Sequence, residues 1–237
     1  MSQKSWSIFV WFRDLLYPPR CVSCRDFVNS IANPDGGNCN WQYLCQKCVD
    51  DWEKDCVDTG WHKLDNGLPY FALARYRENG TAWKIILRSK TSCVKRGVKF
   101  LAEELAYAFD HDIQHWQGER VITYIPRSKS ARRTHGFDQS QQLALALGEK
   151  LGFPVLTTLS HHSGAQQKML NAAQRTENAR QAYRLDEKIA GEIIGRQVVL
   201  VDDVVTTGSS MMACAELLRQ AGANGVICLA VARVDGK

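Results

Sequence analysis

The sequence predicts a doubly wound α/β fold, a mostly parallel sheet with helices on both faces, preceded by a small module built around cysteines. Three observations carry this. From about residue 66 onward, apolar β-branched runs alternate with amphipathic stretches, the pattern of repeated βα units. Over residues 198–221 an apolar strand, two acids, a turn of small residues and a helix follow one another. Near the N-terminus stand two Cys-x2-Cys pairs, Cys21 with Cys24 and Cys45 with Cys48. The expected division is an N-terminal helix and cysteine module over residues 1–65 and an α/β domain over residues 66–237.

The elements of the larger domain follow in order. Residues 70–76 read as a strand, and residues 81–89 and 98–109 as helices. Residues 121–125 are a β-branched strand ending at Pro126. Residues 138–151 form a helix with Leu143, Leu147 and Leu151 on one face, broken by Gly152 and Pro154. A strand over 155–159 and a polar helical segment over 165–182 come next. The strand 198–201, the helix 211–221 stopped by Gly222, and a last strand 225–233 complete the sheet. Ligands in such sheets bind at the carboxyl ends of the strands.

Composition narrows the class. With 237 residues, 45% of them hydrophobic and 23% charged, the chain can bury a core and is not of the disordered type. The net charge of +5 permits a polyanionic partner without demanding one. Its densest basic stretch is Lys84, Arg88, Lys90, Lys95, Arg96 and Lys99, which reads most simply as solvated helix faces and otherwise as a phosphate or nucleic-acid contact. The apolar run 6–12 is short and is followed by Arg13 and Asp14. It suggests an amphipathic helix, not a span or a leader, and a cytoplasmic location is expected.

The strongest motif is Val-Asp-Asp-Val-Val-Thr-Thr-Gly-Ser-Ser, residues 201–210. A turn feeding a helix N-terminus aims backbone N–H groups and the positive helix end at one spot, which suits a phosphate. Gly208 lets the backbone approach, and Thr206, Thr207, Ser209 and Ser210 add hydroxyl donors. Asp202 and Asp203 would repel that phosphate, so they suit a vicinal diol instead. A phosphate beside a diol describes a ribose 5-phosphate.

Two other segments bear on the same site. Residues 125–139 leave a strand with Arg127, Lys129, Arg132 and Arg133 and the hydroxyl of Ser128. A basic loop there could hold a pyrophosphate. The polar segment carrying Gln167, Arg175 and Asn178 has little apolar face and suits a mobile lid as well as a plain surface helix.

Nine cysteines in an intracellular chain point to metal or redox chemistry rather than a disulfide framework. Two Cys-x2-Cys knuckles, twenty residues apart, supply four thiolates for a tetrahedral Zn(II) with no open position, hence a structural site. Cys39, Cys56 and His62 are the spares, with Cys39 the first substitute, and reduced cysteines without metal are the alternative. Cys93, Cys214 and Cys228 read as packing residues.

The motif at 201–210 resembles the phosphoribosyl-pyrophosphate motif of type I phosphoribosyltransferases. That resemblance implies Asp202 and Asp203 on the ribose 2- and 3-hydroxyls, residues 206–210 around the 5-phosphate, and Mg(II) accompanying the ligand. Thr206 stands where hypoxanthine-type enzymes place an acid, which disfavours purine salvage. The order of all these features, with Arg88 and Lys90 after the first main helix, resembles the ComF family of competence proteins, a zinc ribbon joined to a phosphoribosyltransferase domain. The family's usual Arg-Gly-Phe-Asn-Gln is here His135-Gly136-Phe137-Asp138-Gln139. The resemblance implies phosphoribosyl pyrophosphate binding, a part in natural transformation, and single-stranded DNA and other competence proteins as partners. Trp41, Tyr43, Trp52 and Trp61 are available for base stacking, though core packing is the simpler reading. An active phosphoribosyltransferase and a non-catalytic sensor of the same ligand are the other readings. A glutaminase domain of the amidotransferase kind does not fit in the length.

Overall fold

The computed structural model describes residues 18–28, 42–92, 95–113, 118–162 and 181–234. Its strands are β1 (Gly60–Lys63), β2 (Pro69–Arg75), β3 (Arg120–Tyr124), β4 (Leu159–His161), β5 (Tyr183–Leu185), β6 (Gln197–Val205) and β7 (Gly225–Arg233). Its principal helices are α1 (Gln46–Asp55), α2 (Thr81–Ser92), α3 (Lys95–Ile113), α4 (Lys129–His135), α5 (Gln139–Leu151) and α6 (Ser209–Gln220). The central sheet runs β1-β2-β7-β6-β3, while β4 and β5 form a separate pair. β2, β7, β6 and β3 are parallel, and β1 joins β2 antiparallel, with Gly60 opposite Ala72.

Why β6 and β7 sit at the centre follows from their sequence. Both are near-continuous apolar runs, as a strand covered on two faces requires. Alternate residues then split between two cores. Val199, Val201, Ile227 and Leu229 face the cluster that holds Ile85, Phe100, Leu105, Phe109, Leu143 and Leu147 from α2, α3 and α5. Val198, Leu200, Val226 and Cys228 face a second cluster built on Met211, Cys214 and Leu218 of α6, with Leu159 and Tyr183 from the β4–β5 pair. Cys214 and Cys228 are both fully buried.

The cysteine-bearing segment is part of the first core, not a bead on a string. Leu44, Cys48 and Trp52 are buried with Phe100 and Leu101, and Trp52 meets Phe100 edge-on, ring centroids 5.0 Å apart. Asp55, fully buried at the end of α1, accepts from the Ala82 N–H at 2.9 Å and from Arg77 at 2.8 Å. That carboxylate therefore satisfies a free N–H in the first turn of α2. Arg96 donates to the carbonyls of Arg20 and Gln42 at 3.0 and 2.7 Å, tying α3 to the approach of each cysteine pair.

Several expectations need correction. The strand expected over 155–159 shrinks to one bridge, Val155 beside Ile122, held by two hydrogen bonds of 2.8 Å. Strand pairing resumes only at Leu159, now with β5 and antiparallel. Asp202 and Asp203 do not end their strand, because β6 continues to Val205 against β7. It is the β3 side that stops, at Tyr124 opposite Val201, which leaves one edge of β6 open at the two acids. The basic segment after β3 is not a loop. Ser128 accepts from the Ala131 N–H at 3.1 Å as an N-cap, and Gly136 closes α4 in a left-handed conformation at φ 77°. The amphipathic run 6–12 lies outside the described residues. Among the described residues no helix is long and apolar enough to cross a membrane.

Candidate functional site

The site forms where β6 outruns β3. A cleft of about 290 Å3 opens there, with Pro126, Arg127 and Ser128 on one wall and Asp202, Asp203 and Ser210 on the other. His161 and Tyr183 of the β4–β5 pair close a third side. The structure thus brings Asp202, Asp203 and Ser210 of the candidate ribose-phosphate residues, and the start of the candidate pyrophosphate segment, to one opening, whereas Thr206, Thr207, Gly208 and Ser209 do not line it. Lys129, Arg132 and Arg133 are exposed on α4. Gln167, Arg175 and Asn178 lie outside the described residues.

Each acid has a distinct setting. Asp202 accepts from the Ser140 hydroxyl at 3.0 Å and from the Asp203 N–H at 2.8 Å, both on Oδ1. Burial, and then the neighbouring Asp203 charge, hold its carboxyl well above the ordinary carboxylate range. Asp203 instead takes a cation, with Arg127 Nη2 at 3.1 Å. The same nitrogen donates to Gln139 Oε1 at 3.0 Å. Arg127 therefore spans the two expected subsites, lying against an acid and poised beside the cleft.

The acid at 138 also has its explanation here. Asp138 is buried and accepts the Arg127 N–H at 2.8 Å on one oxygen, while the other caps α5 by accepting from the Gln141 N–H at 3.4 Å. It positions the backbone of Arg127 and starts a helix, so a carboxylate in this place serves the fold of the cleft wall.

The turn at 206–210 carries α6 on its end. Gly208 is the N-cap at φ 71°, and a Cβ there would stand 2.4 Å from a Leu64 methyl. Both the left-handed backbone and the close approach call for glycine. Thr206 and Thr207 are exposed, and the Thr207 and Ser209 hydroxyls bond each other at 3.0 Å. The positive N-terminal end of α6 and these hydroxyls can together hold a phosphate. His161 and Tyr183 have no signal in the sequence, since each sits on a three-residue strand that no periodicity reveals.

The second feature is the cysteine cluster. One ligand sulfur from each of Cys21, Cys24, Cys45 and Cys48 lies within 4.8 Å of all the others, and Cys24 and Cys45 approach to 3.4 Å. Four sulfurs at about 2.3 Å from one ion stand about 3.8 Å apart, so the cluster suits a tetrahedral metal. The first knuckle turns at Arg25 (φ 71°), with the Arg25 N–H donating to the Cys21 carbonyl at 3.0 Å. The second opens α1, for which Cys45 is the N-cap. Cys56 stands apart from this group at the far end of α1, its thiol pushed up to about 12 by burial. Cys39 lies outside the described residues.

Comparison with known proteins agrees with this geometry. Residues 134–236 match the phosphoribosyl transferase domain model. The chain is 24% identical over 213 residues to the competence protein ComFC of Streptococcus pneumoniae, covering 90% of this chain and 87% of that one. It is 33% identical over 110 residues to the DNA utilization protein YhgH of Escherichia coli K12, 46% of each chain. It is 35% identical over 89 residues to an orotate phosphoribosyltransferase of Methanopyrus kandleri, 37% of this chain and 44% of that one. The match spans a little under half the length of the YhgH relatives.

Proposed function

Because this chain is a homologue of ComFC that joins a phosphoribosyl transferase domain to a four-cysteine cluster, we propose that it binds phosphoribosyl pyrophosphate with Mg(II) and acts on DNA utilisation in natural transformation. One observation carries the ligand: two acids at the open edge of β6, a hydroxyl-rich helix N-terminus beside them, and an arginine across the cleft. The diol of the ribose meets the acids, the 5-phosphate meets residues 206–210, and the pyrophosphate meets Arg127, Ser128 and the exposed cations of α4. Mg(II), when bound, supplies the charge that lets the acids and a polyanion share one cleft. The cysteine cluster holds a structural Zn(II). The place of action is the cytoplasm, where incoming DNA is single-stranded.

Calorimetry with phosphoribosyl pyrophosphate tests this. Binding of about one equivalent is expected in the presence of Mg(II), and a clear weakening when the ion is chelated. Absence of binding under both conditions would sink the ligand assignment. The meeting of both acids, Ser210 and Arg127 at one cleft supports one further reading, an active phosphoribosyltransferase. Release of pyrophosphate with some nucleobase acceptor would establish it, and binding without turnover on any acceptor would leave a sensor.

The DNA part of the reading rests on the named relatives and on exposed cations, Lys95 and Lys99 on α3 and Lys129, Arg132 and Arg133 on α4. Trp52 and Tyr43 are buried against Phe100, so they are not free for base stacking; Trp61 is 42% exposed. Trp41 lies outside the described residues. Arg96 is engaged by the cysteine segment and would report on folding instead of charge. Single-stranded DNA should therefore bind weakly, with affinity falling linearly against salt on a log–log plot. Replacing Lys95 and Lys99 together by Glu should flatten that slope by about 0.7 for each phosphate no longer neutralised. Fluorescence anisotropy with an unstructured oligonucleotide reads this out, and an unchanged slope would remove α3 from the DNA surface.

A further inference from the structure

We propose that Gln139 is a positioning residue of the pyrophosphate subsite, its side-chain amide pinning one nitrogen of Arg127 so that the remaining guanidinium donors are presented to the ligand. The inference rests on the phosphoribosyl pyrophosphate reading of the cleft and adds to it a residue that does not itself line the opening. Gln139 opens α5 and is only 2% exposed. Its Nε2 donates to the Ile86 carbonyl of α2 at 3.2 Å, and its Oε1 accepts from Arg127 Nη2 at 3.0 Å.

The chemistry of the two partners admits one arrangement. A backbone carbonyl can only accept and a guanidinium can only donate. The buried group between them must therefore offer a donor at one end and an acceptor at the other, which a primary amide does. A carboxylate would leave the Ile86 carbonyl without its donor, and a thioether or hydrocarbon of the same length would serve neither partner. Because Nε2 is held by α2, the amide oxygen cannot swing away from Arg127. Gln139 thus carries the rigidity of a packed helix to a side chain in the cleft wall.

Arg127 is then fixed at both ends. Its Nη2 has two acceptors for its two protons, Gln139 Oε1 and Asp203 Oδ2, the latter at 3.1 Å. Its backbone N–H is held by Asp138 at 2.8 Å, so adjacent residues at the start of α5 hold the main chain and the head group of one arginine. A planar guanidinium anchored in this way cannot turn freely. Its Nη1 and Nε have no hydrogen-bond partner among the described residues, while the side chain lines the cleft. Two protons on Nη1 and one on Nε therefore remain for the oxygens of a pyrophosphate. Without Gln139 the Asp203 charge alone would set the angle of the head group, and a ligand would have to draw it into place.

The test is calorimetry with two probes, phosphoribosyl pyrophosphate and ribose 5-phosphate, each with Mg(II), which differ by the pyrophosphate alone. Gln139→Met keeps the length and removes both polar ends. It should weaken phosphoribosyl pyrophosphate binding by roughly three- to twentyfold, part of the worth of one hydrogen bond to a charged group, and leave ribose 5-phosphate within about twofold. In an Arg127→Ala background the same substitution should cost less than about twofold, because it acts through the arginine, whereas a merely structural loss would persist there. Arg127→Lys tests the same geometry with the buried amide untouched, and it decides the matter if Gln139→Met does not fold. Its single nitrogen, drawn to Gln139 and Asp203, should lose most of the pyrophosphate contribution, as Arg127→Ala does. Unchanged phosphoribosyl pyrophosphate affinity in Gln139→Met, equal losses for both probes, a loss that persists in Arg127→Ala, or Arg127→Lys binding like wild type would each overturn the proposal while the ligand assignment stands. Wild-type protein that binds neither probe would overturn both.

Discussion

A variant with Cys21→Ser and Cys24→Ser should lose its metal and, with it, much of the stability of the whole chain. Metal analysis of wild-type protein purified without added zinc is expected to give about one equivalent, and the variant about none. The size of the effect follows from how the cluster is built into the core. Apparent binding free energies for structural zinc in small peptides run to about 10–16 kcal/mol, and here the energy is not spent on an isolated module. Cys21 and Cys48 lie in the same buried cluster as Trp52, Phe100 and Leu101, and Arg96 of α3 bonds a carbonyl on the approach to each cysteine pair. Releasing the knuckles should therefore unseat α1, expose one face of α3 and lower the melting temperature by tens of degrees in about the proportion that several kcal/mol imply. Chelation of the wild-type protein should give the same lowered transition. Full metal content in the double variant would move the ligands elsewhere, and a melting curve unchanged after metal loss would show that the cluster does not support the fold.

What can be read from the residues alone follows a physical line. The strand, acids, turn and helix at 198–221 are legible because each part leaves a local signature: β-branched apolar residues, a glycine with hydroxyl neighbours, and an amphipathic stretch ended by Gly222. The four cysteines are legible by spacing, and they do converge. The segment after β3 reads as a loop when its charges are weighed ahead of its caps. Ser128 and Gly136 bracket α4 as an N-cap and a left-handed C-cap, signals the sequence does contain. The extension of β6 past Asp202 leaves no local trace because it depends on β7 continuing alongside, a tertiary fact. β1, β4 and β5 are only three or four residues long, too short for a period-2 pattern to declare itself. Tyr183 and His161 escape sequence reasoning for that reason. The role of Asp138 needs the structure as well, since nothing in its neighbours announces that it would hold the Arg127 backbone.

Replacing both acids, Asp202→Asn with Asp203→Asn, should weaken phosphoribosyl pyrophosphate binding by about 10²- to 10⁴-fold, two charge-assisted hydrogen bonds at about 1.5–3 kcal/mol each. The single variants should differ. Asp203 already pairs with Arg127, so Asp203→Asn frees a guanidinium beside the cleft and part of the loss is offset by a stronger hold on the pyrophosphate. Asp202 has no such cation among its described hydrogen-bond partners, Ser140 and the Asp203 N–H, and its loss is uncompensated. Acidity adds a second, independent reading. The Asp202 carboxyl is held above its ordinary range by burial and by the charge of Asp203. Below that raised value it is protonated and a poorer acceptor for the diol and its accompanying cation. Ligand with Mg(II) favours the ionised form, so binding releases a proton and tightens as pH rises through the raised value. Asp203→Asn removes one of the causes of the shift and should move that rise to lower pH. Comparing wild type and variant over the same pH series cancels the ligand's own ionisation. Equal affinity of the double variant and wild type would remove the acids from the site, and a pH profile that does not move in Asp203→Asn would break the link between the two carboxylates.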